Sequence, residues 1–471
     1  MAWPDGSPGR VPLIDAPIGL LIVFAILGAC IGTQVNRAIF NWCWYLRRPY
    51  SPWVSPIEGV DARQRRDFIP VLGWWFLRRN AAVHGSGFWI RPLLIELICA
   101  ATLPLLWWWS TTGGPFPRSF VEAETAFSAK ITSWLIWMFV MYAAMVYFML
   151  IATMIDFDEK TIPDQVTIPG ALFPLLIAFL GFSFALPIES WSERGVVSFG
   201  QTEGTMVDPA QQADDAGVVA LNYASPMGGR YQDPEYWVNT PSGLLAGWIC
   251  ILGWVWGLLP KTLTLRKGFF TGFDLLVASI LRPRRQRRGK IKLPPRKMSR
   301  LTKWLLGLTP VLLAAVWMCW QAKGTSWVQL SSCLMGLALG GGLVWAIRIV
   351  ASYALGQEAM GFGDVTLMAM IGAYLGWQPA LLVFAFAPFA AVFIAVAEFA
   401  LRRRHEIAFG PYLCLSAVIV VLFWDPLWNL WAAPRIFVLG DLLLQVVVVG
   451  VILMGVLLVG WGWVKRRLGW M

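Results

Sequence analysis

The chain has 471 residues, of which 58% are hydrophobic and 14% are charged, and its formal net charge is +11. Soluble globular proteins are about a quarter charged, so this composition excludes an ordinary soluble enzyme and indicates a protein whose solvent is lipid. The seven cysteines are scattered without a close pair, which excludes a disulfide framework and a cysteine-rich zinc site.

Apolar runs of about 20 residues, the length that crosses the hydrocarbon core of a bilayer, recur along the chain. We predict membrane-spanning helices at 18–44, 92–110, 131–155, 166–187, 242–260, 302–320, 329–355, 365–377, 380–400, 410–430 and 439–463. No basic stretch precedes the first run, which is therefore interpreted as a membrane anchor and not as a cleavable signal peptide. Since one run is short and could form a hairpin with its successor, the prediction is an all-α polytopic membrane protein of roughly 9–11 transmembrane helices.

Charges in the loops set the predicted orientation. Loop 46–91 holds eight arginines against three acids, and loop 261–303 holds fourteen basic residues against one acid. Loop 189–240 instead holds eight acids and two arginines. Because positively charged loops stay in the cytoplasm, the N-terminus is predicted outside. The segments predicted inside are 46–91, 156–165, 261–303, 356–364 and 401–409.

The basic stretch 282–300 allows two interpretations. It serves membrane topology alone, or it binds anionic lipid head groups as well. Aromatic side chains that could stack on bases are not interleaved with its charges, so nucleic acid is not an expected partner. The lipid bilayer is the partner that the composition predicts.

A first acidic segment follows the apolar run that ends at Ile155. Asp156 lies within a turn of the predicted helix end, Pro163 breaks the helix, and Asp164 opens the next span. Taken alone, this pattern favours a polar turn between two helices with Asp164 as the N-cap.

A second acidic segment is Gly361-Phe362-Gly363-Asp364, directly before an apolar run. Asp364 occupies the expected N-cap position, and the two glycines allow close backbone approach on either side. A capped helix start again explains the tetrapeptide taken alone. Both acidic segments, however, fall on the same predicted membrane face, where an ionisable group is by default a functional hypothesis.

Two carboxyl groups brought close together cannot both ionise cheaply, so the pair shares a proton and offers a base and an acid in one site. Aspartyl proteolysis needs this combination. Asp364, at a helix N-terminus, is expected to ionise more easily because the helix dipole favours an anion there. The chain has only two histidines, which disfavours Ser–His or Cys–His catalysis and histidine metal sites.

These segments resemble the type 4 prepilin peptidases, which are membrane aspartyl proteases of the G-x-G-D class. Residues 155–169, I-D-x6-P-D-x-x-T-I-P, resemble the first catalytic motif, and residues 356–376 closely resemble the second. Three further stretches resemble the family more loosely: 34–37, 67–97 and 408–413.

The resemblance implies an enzyme that removes the leader peptide of type IV prepilin-like substrates, pilins or pseudopilins, at the cytoplasmic face of the cell (inner) membrane. It implies Asp156 and Asp364 as the catalytic pair. Residues expected to support them are Gly361, Gly363, Asp164 and Glu358. The alternative is a catalytically silent membrane scaffold of a pilus or type II secretion assembly. Oligomeric state is not indicated.

Three departures from the family pattern qualify the resemblance. Loop 46–91 lacks the two cysteine pairs usual in bacterial members, so zinc is not expected. In the family this loop is tied to N-methylation with S-adenosylmethionine, a cofactor needed here only if that activity is retained, and otherwise no cofactor is expected. Gln357 and Ala359 replace a usual Lys and Gly, and residues 183–328 form an insertion with two extra helices.

The chain is accordingly divided into six segments by the role that each is expected to play. They are a first membrane helix (1–45), a basic cytoplasmic loop (46–91), membrane helices with the first aspartate motif (92–182), the insertion (183–328), a membrane core with the G-x-G-D motif (329–430) and a C-terminal extra helix (431–471).

Overall fold

A computed structural model describes the positions of most residues in the chain. The described residues are 17–42, 64–112, 114, 129–189, 191–192, 195–196, 221–222, 237–259, 300–355, 360–400, 409–432, 449, 453 and 460. Most of the basic loop 261–303, most of the acidic loop 189–240 and almost all of the predicted span 439–463 lie outside these residues. The six-segment division of the chain stays a prediction.

Helices dominate the described residues. In chain order they are α1 (Ile18–Trp42), α2 (Leu72–Leu77), α3 (Ala81–His84), α4 (Ile90–Thr111), α5 (Ala129–Glu159), α6 (Asp164–Phe179), α7 (Pro241–Leu258), α8 (Arg300–Ala322), α9 (Gly324–Leu355), α10 (Phe362–Leu375), α11 (Trp377–Ala400) and α12 (Gly410–Leu422). Short 3₁₀ turns lie at Arg65–Phe68, Arg78–Asn80 and Trp237–Asn239, and a π-helix lies at Asp425–Ala432.

Two minimal antiparallel ladders lie between α6 and α7. Strand β1 (Ile188–Glu189) pairs with β4 (Leu221–Asn222), and β2 (Trp191–Ser192) pairs with β3 (Gly195–Val196). Each strand is two residues long, so these ladders do not alter the helical class of the fold.

The all-α polytopic class predicted from the sequence is confirmed. Among the described residues, six helices are long and apolar enough to cross a membrane, and a seventh span results if α12 and the π-helix count as one. Three shorter apolar helices, α6, α10 and the first part of α11, lie beside them. Every predicted span except 439–463 coincides with one of these helices.

Two predicted spans differ from the helices in length or direction. The helix predicted over 166–187 ends at Phe179, because Gly181 takes a positive φ of 93° and Phe182 N donates back to Ile177 O at 3.3 Å. This is the hydrogen-bond pattern of a Schellman stop. The span predicted over 410–430 is also not straight, since α12 and the π-helix meet at 90°.

The extended segment 182–187 after α6 runs through the protein interior, where Phe184 and Leu186 are fully buried. Non-helical backbone at this depth requires hydrogen-bond partners, and side chains of other elements provide them. The pairs are Trp134 Nε1 with Ala185 O (3.0 Å), Tyr142 Oη with Phe184 O (2.9 Å), Gln329 Oε1 with Phe184 N (3.3 Å) and Trp424 Nε1 with Pro187 O (2.6 Å).

Helices α9 and α10 approach each other backbone to backbone. A Cβ atom on Gly336 would lie 2.0 Å from Gly372 O, and one on Gly372 would lie 2.1 Å from Gly336 O. Neither position can therefore hold a larger side chain without moving a helix. Helix α10 is buried from Asp364 to Leu375, so this contact helps to fix the helix that carries the second aspartate.

One buried carboxyl group joins the first part of the chain. Glu96 of α4 accepts hydrogen bonds at Oε1 from Thr33 (3.1 Å), Asn36 (3.2 Å) and Trp74 (2.8 Å), and at Oε2 from the Val71 backbone (2.6 Å). The donors come from α1, from α2 and from the residue before α2. The last bond also holds Val71 at a φ of 64°, which a β-branched residue rarely adopts.

The backbone contact between α9 and α10 predicts the effect of one added methyl group. Gly372→Ala should lower the free energy of unfolding by about 3 kcal/mol, the upper end of the usual cost of overpacking, because the methyl meets a carbonyl oxygen. Gly342→Ala is the matched control: nothing lies within 4 Å of its added Cβ. Thermal unfolding in detergent measures both, and equal midpoints would contradict the close approach.

The Glu96 network predicts a graded loss of stability. Glu96→Gln keeps the size but turns an N–H donor toward the Val71 N–H, so we expect a loss of about 1–3 kcal/mol. Glu96→Leu leaves every donor without its acceptor and should cost more. Leu94→Ala, on an exposed position of the same helix, should cost less than either. Thermal unfolding ranks the three variants, and Glu96→Leu as stable as wild type would refute the network.

Candidate active site

Asp156 lies three residues before the end of α5, as the sequence predicted. Its residue is only 4% exposed, and its Oδ2 atom has no hydrogen-bond partner among the described residues. The chain turns sharply after α5, with Lys160 at a φ of 55° and Pro163 as the N-cap of α6. The Gly410 backbone donates a hydrogen bond to this carboxyl group, and a carboxyl group buried to this degree is costly to keep ionised.

Asp364 is the third residue of α10, and it is 7% exposed. Its predicted position as N-cap is wrong by three residues. Gly361 is the N-cap, because its backbone is extended at φ −64° and ψ 148° and the helix begins at Phe362. The side chain of Asp364 thus projects from the first turn of α10 and not from its cap.

For Asp164, the predicted N-cap position is wrong by one residue. The sequence placed Asp164 at the N-cap of the next span, but Pro163 takes that position and Asp164 is the first residue of α6. Asp164 is half-buried. The expected supporting residue Glu358 lies outside the described residues.

Ile162, in the turn after α5, packs closely against the start of the helix that carries Asp364. A Cβ atom on Gly363 would lie 2.9 Å from Ile162 Cβ and 3.0 Å from Ile162 N. A Cβ atom on Gly410 would lie 2.7 Å from Asp156 Oδ2 and 2.9 Å from Ile162 Cδ1. The starts of α10 and α12 therefore both close onto the turn that follows Asp156, and glycine leaves the space that this requires.

The two aspartates, which we call the aspartate pair, lie within range of direct charge interaction with each other. Cys414 of α12 is buried within range of both. The Gly361 position is less crowded, since a Cβ atom there would lie 3.7 Å from Asp364 Oδ2. Two adjacent buried carboxyl groups can hold one shared proton, so the arrangement can act as a combined acid and base.

Arg91 clamps the end of α5. Its Nη1 atom lies 2.6 Å from Asp158 Oδ1, and its Nη2 atom donates to Met154 O at 2.8 Å. The start of α4 is thereby tied to the last turn before the aspartate pair. The side chains of the ion pair are about 40% exposed, so its stabilisation is small.

Arg348 is a site residue that the sequence reasoning missed. It lies in α9, is 2% exposed, and donates from Nε to Met360 O at 2.6 Å. Its guanidinium carbon is 5.4 Å from the centre of the Phe362 ring, and its charge acts on Asp364. The available signal was an arginine inside an otherwise apolar run, since a charge at such a position is by default a functional hypothesis.

Within the part of the chain that the structure describes, no three His, Cys, Asp or Glu side chains converge in a way that could hold a metal ion. Among the described residues, the groups that meet at this site are the carboxyl groups of the aspartate pair, the Arg348 guanidinium and closely packed backbone.

Comparison with known proteins gives a partial match. Residues 299–396 match the model of the type IV leader peptidase family. This segment includes Asp364 and Arg348 but not Asp156. Asp156 is assigned to the site from its position in the structure, beside Gly410 and within range of Asp364. No solved structure matches the chain.

Curated relatives match over a similar fraction of the chain. A protein of Aeromonas hydrophila is 33% identical over 101 residues, which cover 21% of this chain and 35% of the relative. Proteins of Pectobacterium carotovorum subsp. carotovorum and Escherichia coli (strain K12) are each 31% identical, and the matches cover 25% and 20% of this chain and 43% and 42% of the relatives. All three are named prepilin leader peptidase/N-methyltransferase. The chain thus spans less than half the length of these relatives.

The packing of Ile162 predicts that the two glycines of the G-x-G-D motif differ. Gly363→Ala should lower the free energy of unfolding by about 1–3 kcal/mol, because the new methyl meets the Ile162 backbone. Gly361→Ala, the matched control, fits at an ordinary contact distance and a favourable φ, and should stay within about 0.5 kcal/mol. Thermal unfolding measures both variants, and the reverse ranking would contradict the described contact.

Proposed function

We propose that this chain, a member of the type IV leader peptidase family, is a membrane-embedded aspartyl endopeptidase that removes the leader peptide of type IV prepilin-like substrates. The observation that carries the proposal is the convergence of two buried aspartates from distant parts of the sequence, Asp156 and Asp364, at the ends of two apolar helices. The family match over residues 299–396 supports it independently.

In the proposed reaction the aspartate pair carries a single proton at the start. The ionised carboxylate takes a proton from a water molecule as the water oxygen attacks the peptide carbonyl carbon. The protonated carboxyl group polarises the carbonyl oxygen and then supplies a proton to the leaving amine as the C–N bond breaks. Because coupled acids titrate as a unit, the two roles belong to the pair.

The depth of the site supports the choice of substrate. Asp156 lies in the last turn of its helix and Asp364 in the first turn of its own, so both are near a membrane surface and not at mid-bilayer. A prepilin-like substrate has a hydrophobic helix directly after its leader, and its scissile bond would lie at this depth. The basic loops at 46–91 and 261–303 support a cytoplasmic location for this face.

The proposal is limited to leader cleavage. The relatives are also named N-methyltransferases, but loop 46–91 has no cysteine, and the family ties its cysteine pairs to that second activity. The proposed reaction therefore does not use S-adenosylmethionine.

The proposal predicts that each aspartate is required separately. Asp156→Asn and Asp364→Asn should each abolish cleavage of a co-expressed, tagged type IV prepilin, because a carboxamide can neither accept the proton from water nor donate one as a carboxyl group does. Asp158→Asn is the matched control, since it makes the same change at an exposed surface ion pair and should retain cleavage. The size of the prepilin on a gel is the measurement.

Two outcomes would count against the proposal. Full cleavage by either aspartate variant would remove that residue from the catalytic pair. An uncut prepilin with the wild-type chain, repeated with pilins from the same genome, would favour the silent scaffold.

A further inference from the structure

Arg348 is a charged residue in a place where charge is costly. It lies in α9, one of the helices apolar enough to cross a membrane, and it is 2% exposed. A buried guanidinium loses its hydration, and this loss is tolerated only where nearby groups compensate for it. The contacts of Arg348 should therefore show what the charge is for.

Two contacts of Arg348 and its electrostatic influence converge on the start of α10. Its Nε atom donates to Met360 O at 2.6 Å, and Met360 directly precedes the G-x-G-D tetrapeptide. Its guanidinium faces the ring of Phe362 within that tetrapeptide. Its charge acts on Asp364 at the end of it. One side chain thus interacts with the backbone, the aromatic ring and the carboxyl group of the same turn.

The aspartate pair creates a need for such a charge. With one shared proton the pair carries a negative charge in a buried site, and a buried charge without a partner is strongly unfavourable. Lys160 acts on the Asp156 side, from the turn after α5. Arg348 acts on the Asp364 side, from a different helix. Cys414, another titratable group, lies within range of charge interaction with both aspartates.

We propose that Arg348 is a positioning residue for the aspartate pair, which fixes the backbone before the G-x-G-D turn and supplies the positive charge that balances the shared carboxyl pair. The inference rests on the proposed function for its catalytic consequence. Its structural half, the coupling of Arg348 to Asp364, holds independently of which substrate is cleaved.

The kinetic test compares three substitutions on purified full-length protein, with a prepilin substrate in detergent. Arg348→Lys keeps the positive charge, Arg348→Gln keeps a hydrogen-bond donor without the charge, and Arg348→Met keeps neither. Arg65→Gln, at an exposed position, is the matched control for loss of one positive charge.

We expect Arg348→Gln and Arg348→Met to lower kcat by on the order of 10²-fold, the usual effect of removing one preorganised electrostatic group, with little change in KM. Arg348→Lys should recover most of this loss, and Arg65→Gln should behave as wild type. A lysine variant no better than the glutamine variant would overturn the role of the charge. Wild-type kcat in the methionine variant would overturn the inference altogether while leaving the proposed function intact.

A double-mutant cycle tests the coupling without any substrate. Thermal unfolding midpoints are measured for wild type, Arg348→Gln, Asp364→Asn and the double variant. If the charge of Arg348 balances the aspartate pair, Arg348→Gln should lower the midpoint clearly less in the Asp364→Asn background than in wild type. Strictly additive shifts would overturn the coupling. This result is obtained even if the wild-type chain cleaves no prepilin, so failure of the function and failure of the inference are distinguishable.

Discussion

The structure of the candidate site depends on one steric constraint, which is the close packing of Ile162 against both Gly363 and Gly410. The turn after α5 lies so close to the starts of α10 and α12 that an added methyl group at either glycine would overlap Ile162 or the Asp156 carboxyl group. This contact brings together two acids that are some two hundred residues apart in the sequence. Helices α7 and α8 lie between the two acids in the sequence and leave the contact in place.

A second theme is the supply of hydrogen-bond partners to polar groups that lipid cannot solvate. The extended segment 182–187 runs through the interior, and indole, phenol and amide groups from other elements bond to four of its backbone groups. Glu96 takes four donors from three parts of the chain. In both cases side chains with hydrogen-bonding groups bind non-helical backbone. Apolar contacts between helices could not provide these hydrogen bonds.

Much of the fold could be predicted from the sequence, because apolar runs of membrane length carry a strong and local signal. Helices α1, α4 and α5 begin and end within a few residues of their predicted bounds. The end of α6 was missed, because a glycine stop inside an apolar run leaves no trace in hydropathy. The span predicted over 439–463 lies almost entirely outside the described residues.

The two acidic residues of the candidate site could be identified from the sequence, but the residues that surround them could not. Asp156 and Asp364 stood out because charge is rare beside apolar runs, but their exact places relative to the helix caps depend on backbone angles at Pro163 and Gly361. Ile162 looks like any apolar residue in the sequence, and its role arises only from the contact of three distant elements. Arg348 was visible as a charge, but its partner on a neighbouring helix was not.

The contact between Gly336 and Gly372 has a mechanical consequence. Where backbone touches backbone, no side chain can rotate to accommodate a shift of one helix against the other, so we expect α9 and α10 to move together. Arg348 belongs to the first of these helices and Asp364 to the second. A displacement that widened the space between the two aspartates would therefore carry the guanidinium along with its carboxyl partner, and the electrostatic environment on that side would travel with the moving unit.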